Sequence, residues 1–333
     1  MKYLRIIIIA VVFNGFSPLI LANPVHQAHP VKTEIKPGLA QRLGFSQTDK
    51  ILIVNGDDVA VSRSANAAAI IAMEQGLMTS GTIMVPSSWF PQIAAYAKLN
   101  PKADFGIHIT LTSEWEFYRW DPISDKIEVP NLTDAQGYLW SSVELFRQNA
   151  PPEEAEIEAK AQIEMAYAAG IDITHLDSHM WTMMIDSNYY EVYLKLAKEF
   201  DLPVRMPTQA SLESKGLGTL REKMAADGIL CPDFLFFAGR RQDESLKDCW
   251  KRLLNSLQPG VTEIYIHAAL PTAEMQAMTG ENEAINWRVR AMEYELFTHD
   301  PDIRALIQSH GVKLIGYRAL RELQRRERAA FKR

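Results

Sequence analysis

The stretch ILIVNGDD, residues 51–58, decides the fold. Its four leading apolar residues are typical of a short strand that is buried on both faces, as strands of parallel sheets are. Asp57 and Asp58 follow this run directly after Asn55 and Gly56. In α/β barrels, polar residues at the carboxyl ends of strands lie where active sites are built. The stretch therefore predicts the first strand of a parallel sheet, with candidate functional residues at its end.

Short apolar runs of this kind alternate with segments of helical period along most of the chain. The predicted strands are residues 51–54, 82–85, 104–111, 173–176, 203–206, 234–237, 263–267 and 312–315. A first helix, capped by Ser62 or Ser64, is predicted to end near residue 75. The other predicted helices are residues 90–99, 153–169, 189–200, 244–257 and 286–297.

This alternation predicts the α/β class and a TIM-like (β/α) barrel of seven or eight mostly parallel strands, either regular or distorted and incompletely closed. A doubly wound open sheet is the alternative. The sequence contains neither GxGxxG nor GxxxxGK[ST], so no motif in it indicates a nucleotide site.

The first residues have the pattern of an export signal. Lys2 and Arg5 precede an apolar run, residues 6–13, and the small residue Ala22 offers a cleavage point. This run is shorter than the roughly 20 residues that span a bilayer, so it predicts a signal peptide over residues 1–22. A buried N-terminal strand is the alternative. We expect a protein that is periplasmic or secreted and has no membrane span in its mature form.

The mature chain is predicted to consist of an N-terminal arm, residues 23–47, and a single catalytic α/β-barrel domain, residues 48–328. Within the barrel, residues 113–148 lack a helical period. This insertion contains Trp115, Phe117, Tyr118, Trp120, Tyr138 and Trp140. A loop of this length is usually functional or disordered, and its aromatic content argues against disorder. Its rings could stack on the apolar face of a sugar or pack into the small core of a lid.

Polar residues follow the ends of several predicted strands. Asp58, His108 and His179 offer one carboxylate and two imidazoles, which is the composition of a catalytic metal site. A divalent ion there would polarise an amide carbonyl and make water more acidic. Asp57 could accept the proton of that water, and His267 could protonate the leaving amine. An Asp-Asp turn and structural histidines are the alternatives, but the joint placement at strand ends favours a metal site.

Four motifs resemble those of the YdjC-like (ChbG/HpnK) carbohydrate deacetylases. They are IVNGDD at residues 53–58, GLMTS at residues 76–80, GIHITLT at residues 106–112 and THLDSH at residues 174–179. The resemblance extends from about residue 50 to about residue 320. It implies a relative of TIM barrels that removes acetyl groups from N-acetylated sugars with one divalent ion, either Mg²⁺ or Zn²⁺.

The resemblance also implies roles for individual residues. The metal ligands that it implies are Asp58, His108 and His179. Asp57 would be the base, and His267 matches a late-strand histidine of the family. Ala268 follows this histidine where the family usually has Pro, which weakens the comparison at the proposed acid.

Further residues receive supporting roles from the resemblance. Arg205 would pair with Asp57 and hold it ionised, while His175 and Asp177 would orient the metal ligands. A polar strand end that faces solvent is the alternative for the last two. The chain departs from the family at residues 180–182, where Met-Trp-Thr stands in place of further histidines. It also has Gly56 where Ala is usual, and the altered pocket wall leaves the identity of the sugar open.

Charge and cysteine content limit the possible partners. The formal net charge of the 333 residues is −6 and is spread along the chain, so nothing predicts nucleic-acid binding. Cys231 and Cys249 could pair in an oxidising compartment or remain as buried thiols.

The expected partner is an N-acetylated sugar or oligosaccharide. Hydrolysis of another amide or ester, and non-catalytic carbohydrate binding in the periplasm, are the alternative functions.

We predict that the mature protein begins near Asn23, because the charged, apolar and small-residue segments before it form a cleavable signal. N-terminal sequencing of the natively produced protein measures this. Replacing both Lys2 and Arg5 with Glu provides a control that should accumulate unprocessed. Recovery of the intact Met1 terminus from the wild-type protein would contradict the prediction.

Overall fold

The computed structural model describes residues 37–279 and 285–331. The predicted signal peptide, residues 1–22, and residues 23–36 of the predicted arm lie outside the described residues. The remainder of that arm contains a short helix whose buried Leu39 and Ala40 face a small hydrophobic cluster that also contains Tyr317.

Seven strands form one sheet in the described part of the chain. They are β1 (Lys50–Val59), β2 (Ser80–Ile83), β3 (Phe105–Ile109), β4 (Ile173–Ser178), β5 (Phe234–Phe236), β6 (Gly260–Ile266) and β7 (Lys313–Leu314). Every pairing is parallel. Six strands follow the order β4-β3-β2-β1-β6-β5, and β7 pairs with the start of β1. The sheet forms a distorted, open α/β barrel, which confirms the predicted barrel in its incompletely closed form.

Helices connect these strands. They are α1 (Leu39–Arg42), α2 (Arg63–Glu74), α3 (Phe90–Leu99), α4 (Val143–Asn149), α5 (Pro152–Ala168), α6 (Ser187–Glu199), α7 (Gln209–Ser214), α8 (Leu220–Ala226), α9 (Leu246–Asn255), α10 (Ala273–Met278), α11 (Trp287–Thr298), α12 (Pro301–Ser309) and α13 (Tyr317–Phe331). A 3₁₀ segment, His179–Met184, follows β4.

The helices α2 and α11 begin where the sequence supplies a capping side chain. Ser62, rather than Ser64, accepts a hydrogen bond of 3.0 Å from the amide of Ala65 at the start of α2. Asn286 accepts one of 3.3 Å from Val289 at the start of α11. Such caps satisfy amides that have no partner within the helix. All six predicted helices are present, close to their predicted bounds.

Residues 203–206 form a single bridge instead of the predicted strand. Val204 pairs in parallel with Leu176, and its amide donates a hydrogen bond of 2.9 Å to the carbonyl of Leu230. Pro203 has no amide hydrogen, and Pro207 ends the segment on the other side. A regular ladder therefore cannot extend in either direction.

Helices of only six or seven residues were not predicted, because they are too short to show a helical period. They are α4, α7, α8 and α10. The first begins at Val143, so the expectation that residues 113–148 lack helix was wrong at the end of this insertion. Ser142 caps it by accepting a hydrogen bond of 3.2 Å from Leu145. The helices α12 and α13, on either side of β7, were not predicted either.

The two cysteines are buried and unpaired. Burial raises the pKa of the Cys231 thiol to about 11, so this thiol is an inert part of the core rather than a nucleophile. Among the described helices, none is both long and apolar enough to cross a membrane.

The core beneath the carboxyl ends of the strands depends on close packing at Gly106 of β3. A Cβ atom at this position would lie 2.5 Å from the ring of His175 and 2.6 Å from its carbonyl oxygen. The same ring is stacked on Tyr317, with 3.7 Å between ring centroids. The ring therefore has little room to move away from an added methyl group.

We predict that Gly106→Ala lowers the free energy of unfolding by about 1–3 kcal/mol, the usual cost of overpacking a core. Gly38→Ala is the matched control, because a Cβ atom there would meet nothing within 4 Å. Chemical denaturation of both variants measures the difference. Equal stabilities of the two variants would show that the packing at Gly106 is not tight.

Candidate active site

The predicted metal ligands meet at the carboxyl ends of three strands. Asp58 lies near the end of β1, His108 in β3, and His179 directly after β4. All three are buried, and one ligand atom from each lies within 4.8 Å of the others. Asp58 has a left-handed backbone, with φ of 60°, a conformation that is uncommon for residues other than Gly. The turn of the backbone at the strand end thus brings Asp58 to the two histidines.

The geometry of these three residues fits a divalent ion. Asp58 Oδ1 lies 3.2 Å from His108 Nε2 and 3.3 Å from His179 Nδ1. This oxygen is buried and accepts no hydrogen bond within the described part of the protein. Buried polar atoms without a partner are rare in proteins. One carboxylate oxygen and two imidazole nitrogens that converge in this way form the donor set of an open metal site.

The remaining ring nitrogens of both histidines are held by carboxylates. His108 Nδ1 donates a hydrogen bond to Asp177, and His179 Nε2 contacts Glu114 at 2.9 Å. Such contacts fix the orientation and tautomer of a metal-binding histidine. Glu114 was not singled out from the sequence, since it lies in the aromatic insertion with no motif around it.

The same carboxylates determine how the two imidazoles titrate. Burial alone would lower the pKa of His108, but the charge and hydrogen bond of Asp177 raise this pKa to about 10. Burial likewise opposes the protonation of His179, and Glu114 and Asp58 raise its pKa to about 9. The pocket is therefore strongly favourable to positive charge at this point.

Asp57 lies beside the cluster in a different environment. Arg205 donates to both of its oxygens, Nη1 to Oδ2 and Nη2 to Oδ1, each at 2.7 Å. Asn55 donates to Oδ1 at 2.9 Å. Burial would raise the pKa of Asp57, but Arg205 lowers it to about 2. Asp57 is therefore ionised at neutral pH.

A second group of possible metal ligands, formed by Asp57, His108 and Asp177, also has its atoms within 4.8 Å of one another. Arg205 lies between its two carboxylates, with Nη1 at 2.9 Å from Asp177 Oδ2. Thr82 donates to the same Asp177 oxygen at 2.9 Å. Because these oxygens already have cationic or hydroxyl partners, this second group fits an ion less well than the first.

Arg205 also contacts Glu263 of β6. Its Nε donates to Glu263 Oε1 at 2.8 Å, and the hydroxyl of Tyr317 donates to Glu263 Oε2. Burial raises the pKa of Glu263 to about 7, although Arg205 and Tyr317 favour its charged form. A glutamate at the first position of a predicted strand was the available sequence signal for this residue.

The two residues expected to orient ligands have different positions. Asp177 contacts His108 directly. His175 lies two residues earlier on β4, fully buried, with its ring stacked on Tyr317. It is thus part of the packed layer under the site, and neither residue faces solvent.

The predicted acid, His267, lies just after β6 at the wall of a cavity of about 360 Å³. Its amide donates to Glu293 Oε2 at 2.7 Å, and its Nδ1 lies 3.7 Å from the same oxygen. The cavity is also lined by Asp57, Asp58, His108 and His179. The structure thus places the predicted acid, base and metal ligands around one cavity.

The aromatic insertion does not provide the exposed rings of this cavity. Trp115 and Trp120 are each only 4% exposed and contact each other edge to face, 6.0 Å between centroids. Trp120 also contacts the ring of His179 at 6.2 Å. The two tryptophans thus pack into the main hydrophobic core rather than into a separate small core of a lid, and Trp115 also lines the cavity.

Besides the buried Trp115, three rings from other segments line the cavity. Trp181 contacts Tyr265 edge to face at 6.0 Å, and Phe237 stacks with Tyr265 at 5.9 Å. Phe237 is 56% exposed. Met180 and Trp181 both have left-handed backbones, with φ of 50° and 61°. Met180 and Trp181 of the Met-Trp-Thr segment thus line the cavity.

Comparison with known proteins identifies the family. The family described as YdjC-like protein matches residues 51–309. The chain belongs to the YdjC-like family. A protein of Thermus thermophilus named carbohydrate deacetylase is 32% identical over 289 residues, covering 85% of this chain and 98% of the relative. A carbohydrate deacetylase of Thermoanaerobacter pseudethanolicus is 27% identical over 275 residues, covering 82% and 100%.

A solved structure extends the comparison. The crystal structure of a candidate cellobiose-phosphate cleavage protein from Enterococcus faecalis V583 superposes on this YdjC-like chain with a TM-score of 0.71 at 26% identity. The match covers 82% of this chain and 99% of the other. The curved parallel sheet and its helices are therefore a fold that this chain has in common with that protein.

We predict that Asp57→Asn and Asp58→Asn impair this YdjC-like protein in different ways, one through turnover and the other through metal binding. Asp58→Asn should weaken metal binding, so that added metal partly restores turnover. Asp57→Asn should keep the metal and lower turnover by about 10²–10⁴-fold, the usual effect of removing a general base.

Metal stoichiometry and turnover, measured on both purified variants, distinguish these outcomes, and each variant serves as the isosteric control for the other. Loss of metal from Asp57→Asn, or near-normal turnover of that variant, would refute this division of roles.

Proposed function

We propose that this protein is a metal-dependent hydrolase that removes N-acetyl groups from a carbohydrate. The observation that carries the proposal is the convergence of Asp58 Oδ1, His108 Nε2 and His179 Nδ1 on one point beside the ionised Asp57. The carbohydrate deacetylases among its relatives, each matched over nearly its whole length, support the substrate class.

The three converging atoms would hold one divalent ion, which polarises the amide carbonyl as a Lewis acid when bound. Two imidazole nitrogens and one carboxylate oxygen are typical ligands of Zn²⁺. Mg²⁺ prefers oxygen ligands and retains several waters. The donor set therefore favours Zn²⁺ of the two candidates.

The residues around the ion would move the protons. Asp57 is kept ionised by Arg205, so it can accept a proton from the attacking water. His267, at the wall of the same cavity, would donate a proton to the departing amine nitrogen. Glu293 contacts both the amide and the ring region of His267 and would hold it in place.

The shape of the cavity supports a sugar as the substrate. Its volume of about 360 Å³ falls in the range of small-molecule sites. Trp181, Phe237 and Tyr265 offer ring surfaces around it, and the apolar faces of sugars pack on aromatic rings. We place the sugar on this wall and the acetamido group at the metal ligands. We also propose that the enzyme acts after export, which the N-terminal sequence pattern supports.

We predict that the purified protein releases acetate from N-acetylglucosamine oligosaccharides, and that a chelator abolishes the release while Zn²⁺ restores it. Measuring acetate and metal content across oligosaccharides of several lengths tests this. Asp58→Asn, tested without added metal, is the matched control for loss of the ion.

Three results would refute the proposal in different ways. Activity that persists in full in metal-free protein would exclude metal dependence. Binding of acetylated sugars by the metal-loaded protein, with no release of acetate from any of them, would instead indicate a carbohydrate-binding protein. Release of a different acid from another amide or an ester would change the substrate class.

A further inference from the structure

Arg290 is a buried cation at the edge of the proposed metal centre that the functions assigned so far do not use. It lies on α11 and is 3% exposed. Its Nε donates to the carbonyl of Ile285 at 3.1 Å, and its Nη2 donates to Asp58 Oδ2 at 2.8 Å. The guanidinium carbon lies 5.3 Å from the centre of the Trp115 ring. The contacts of Nε, of Nη2 and of the Trp115 ring thus hold the guanidinium group in place.

The third nitrogen, Nη1, is buried and has no hydrogen-bond partner in the part of the chain that the structure describes. A buried donor without an acceptor is costly, and more so when it is charged. Arg290 is also among the residues that line the cavity. Its free Nη1 donors therefore indicate that a bound molecule supplies the missing acceptor.

The position of Arg290 identifies which part of the molecule that is. Its Nη2 contacts one oxygen of Asp58, and the other oxygen of the same carboxylate lies 3.2 Å from His108 Nε2 and 3.3 Å from His179 Nδ1. The carboxylate of Asp58 thus lies between the guanidinium group and the point where the ligand atoms converge. The aromatic wall formed by Trp181, Phe237 and Tyr265 suits the ring of a sugar, whereas a fixed cation suits an oxygen that carries negative charge.

We propose that Arg290 is a catalytic residue whose Nη1 donates a hydrogen bond to the acyl oxygen of the substrate and stabilises the negative charge that develops on it. This inference rests on the proposed function, because it places the acetamido group at the metal ligands. Preorganised donors directed at a developing oxyanion are among the largest contributions to catalysis of acyl transfer.

The proposed step balances in atoms and charge. The oxygen of water forms a bond to the acyl carbon as its proton passes to Asp57, and the carbonyl electron pair moves to the oxygen that faces Arg290. When that pair returns, the carbon–nitrogen bond breaks and the amine nitrogen takes a proton from His267. The acyl product leaves as acetic acid, which loses its remaining hydroxyl proton to solvent and becomes acetate, and the amine leaves neutral. The proton that Asp57 accepted passes through solvent to His267, which restores both residues. Arg290 remains protonated throughout, as arginine does in proteins.

Arg290→Lys tests the proposal, because lysine keeps the charge beside Asp58 but has a single amine nitrogen in place of Nη1 and Nη2. We expect kcat to fall by about 10²–10³-fold, as when one oxyanion donor is removed, with little change in KM. Metal stoichiometry and thermal stability should remain those of the wild type. Arg288→Lys on the same helix is the matched control, because Arg288 is exposed and should leave kcat unchanged.

A second measurement does not depend on turnover. Acetate presents the same acyl oxygen, so calorimetric titration of the metal-loaded proteins with acetate reports directly on the Nη1 contact. We expect Arg290→Lys to bind acetate about tenfold or more weakly than wild type, the effect of one hydrogen bond to a charged group. The Arg288→Lys control should bind acetate like the wild type.

Three outcomes would overturn the proposal. The kcat and acetate affinity of Arg290→Lys could equal those of the control. Its KM could rise with kcat unchanged, which would assign Nη1 to a substituent of the sugar ring. The variant could lose its metal, which would make Arg290 a support for Asp58 alone. If the wild type released no acetate from any sugar but bound acetate through Arg290, the proposed function would fail while the Arg290 contact remained.

Discussion

The buried guanidinium group of Arg205 is the constraint on which the rest of the site depends. It is 2% exposed and contacts Asp57 from β1, Asp177 from β4 and Glu263 from β6. Three carboxylates this close together in a barrel interior would repel one another and take up protons unless a cation lay among them. Arginine is suited to this position, because its planar fork has five donors and keeps its charge when buried. Glu263 shows the limit of that compensation, since burial raises its pKa to about 7.

From this centre, each candidate metal ligand is held by a different part of the chain. Asp177, itself bound to Arg205, orients His108. Glu114, in the insertion after β3, orients His179. Arg290 of α11 donates a hydrogen bond to Asp58. The ligand atoms are therefore directed at one point by groups whose own positions are fixed by buried hydrogen bonds. Such preorganisation allows a site to bind an ion and a developing charge without rearranging.

The elements with strong local signals could be predicted from the sequence, and the contacts between distant elements could not. The continuous apolar run at residues 51–54 lies within β1, although that strand extends to Val59, and the helix predicted at residues 90–99 coincides with α3. Arg290 and Glu293 lie three residues apart on α11, where a charged pair ordinarily indicates a solvated helix face. They are buried because that helix packs against β6 and α2, where Arg290 contacts Asp58 and Glu293 contacts His267. Glu114 likewise lies outside any motif, and its contact with His179 spans 65 residues of sequence.

The insertion shows why aromatic content alone does not locate a sugar site. Trp115 and Trp120 are buried in the insertion, and the ring of Trp120 and the carboxylate of Glu114 both contact His179. The wall on which we propose that the sugar binds includes the segment after β4, where Met180 and Trp181 have left-handed backbones. Such conformations persist only where the surroundings enforce them, and they concentrate at functional sites. Met180 and Trp181 therefore shape the wall of the cavity, while the candidate metal ligands lie on β1, on β3 and directly after β4.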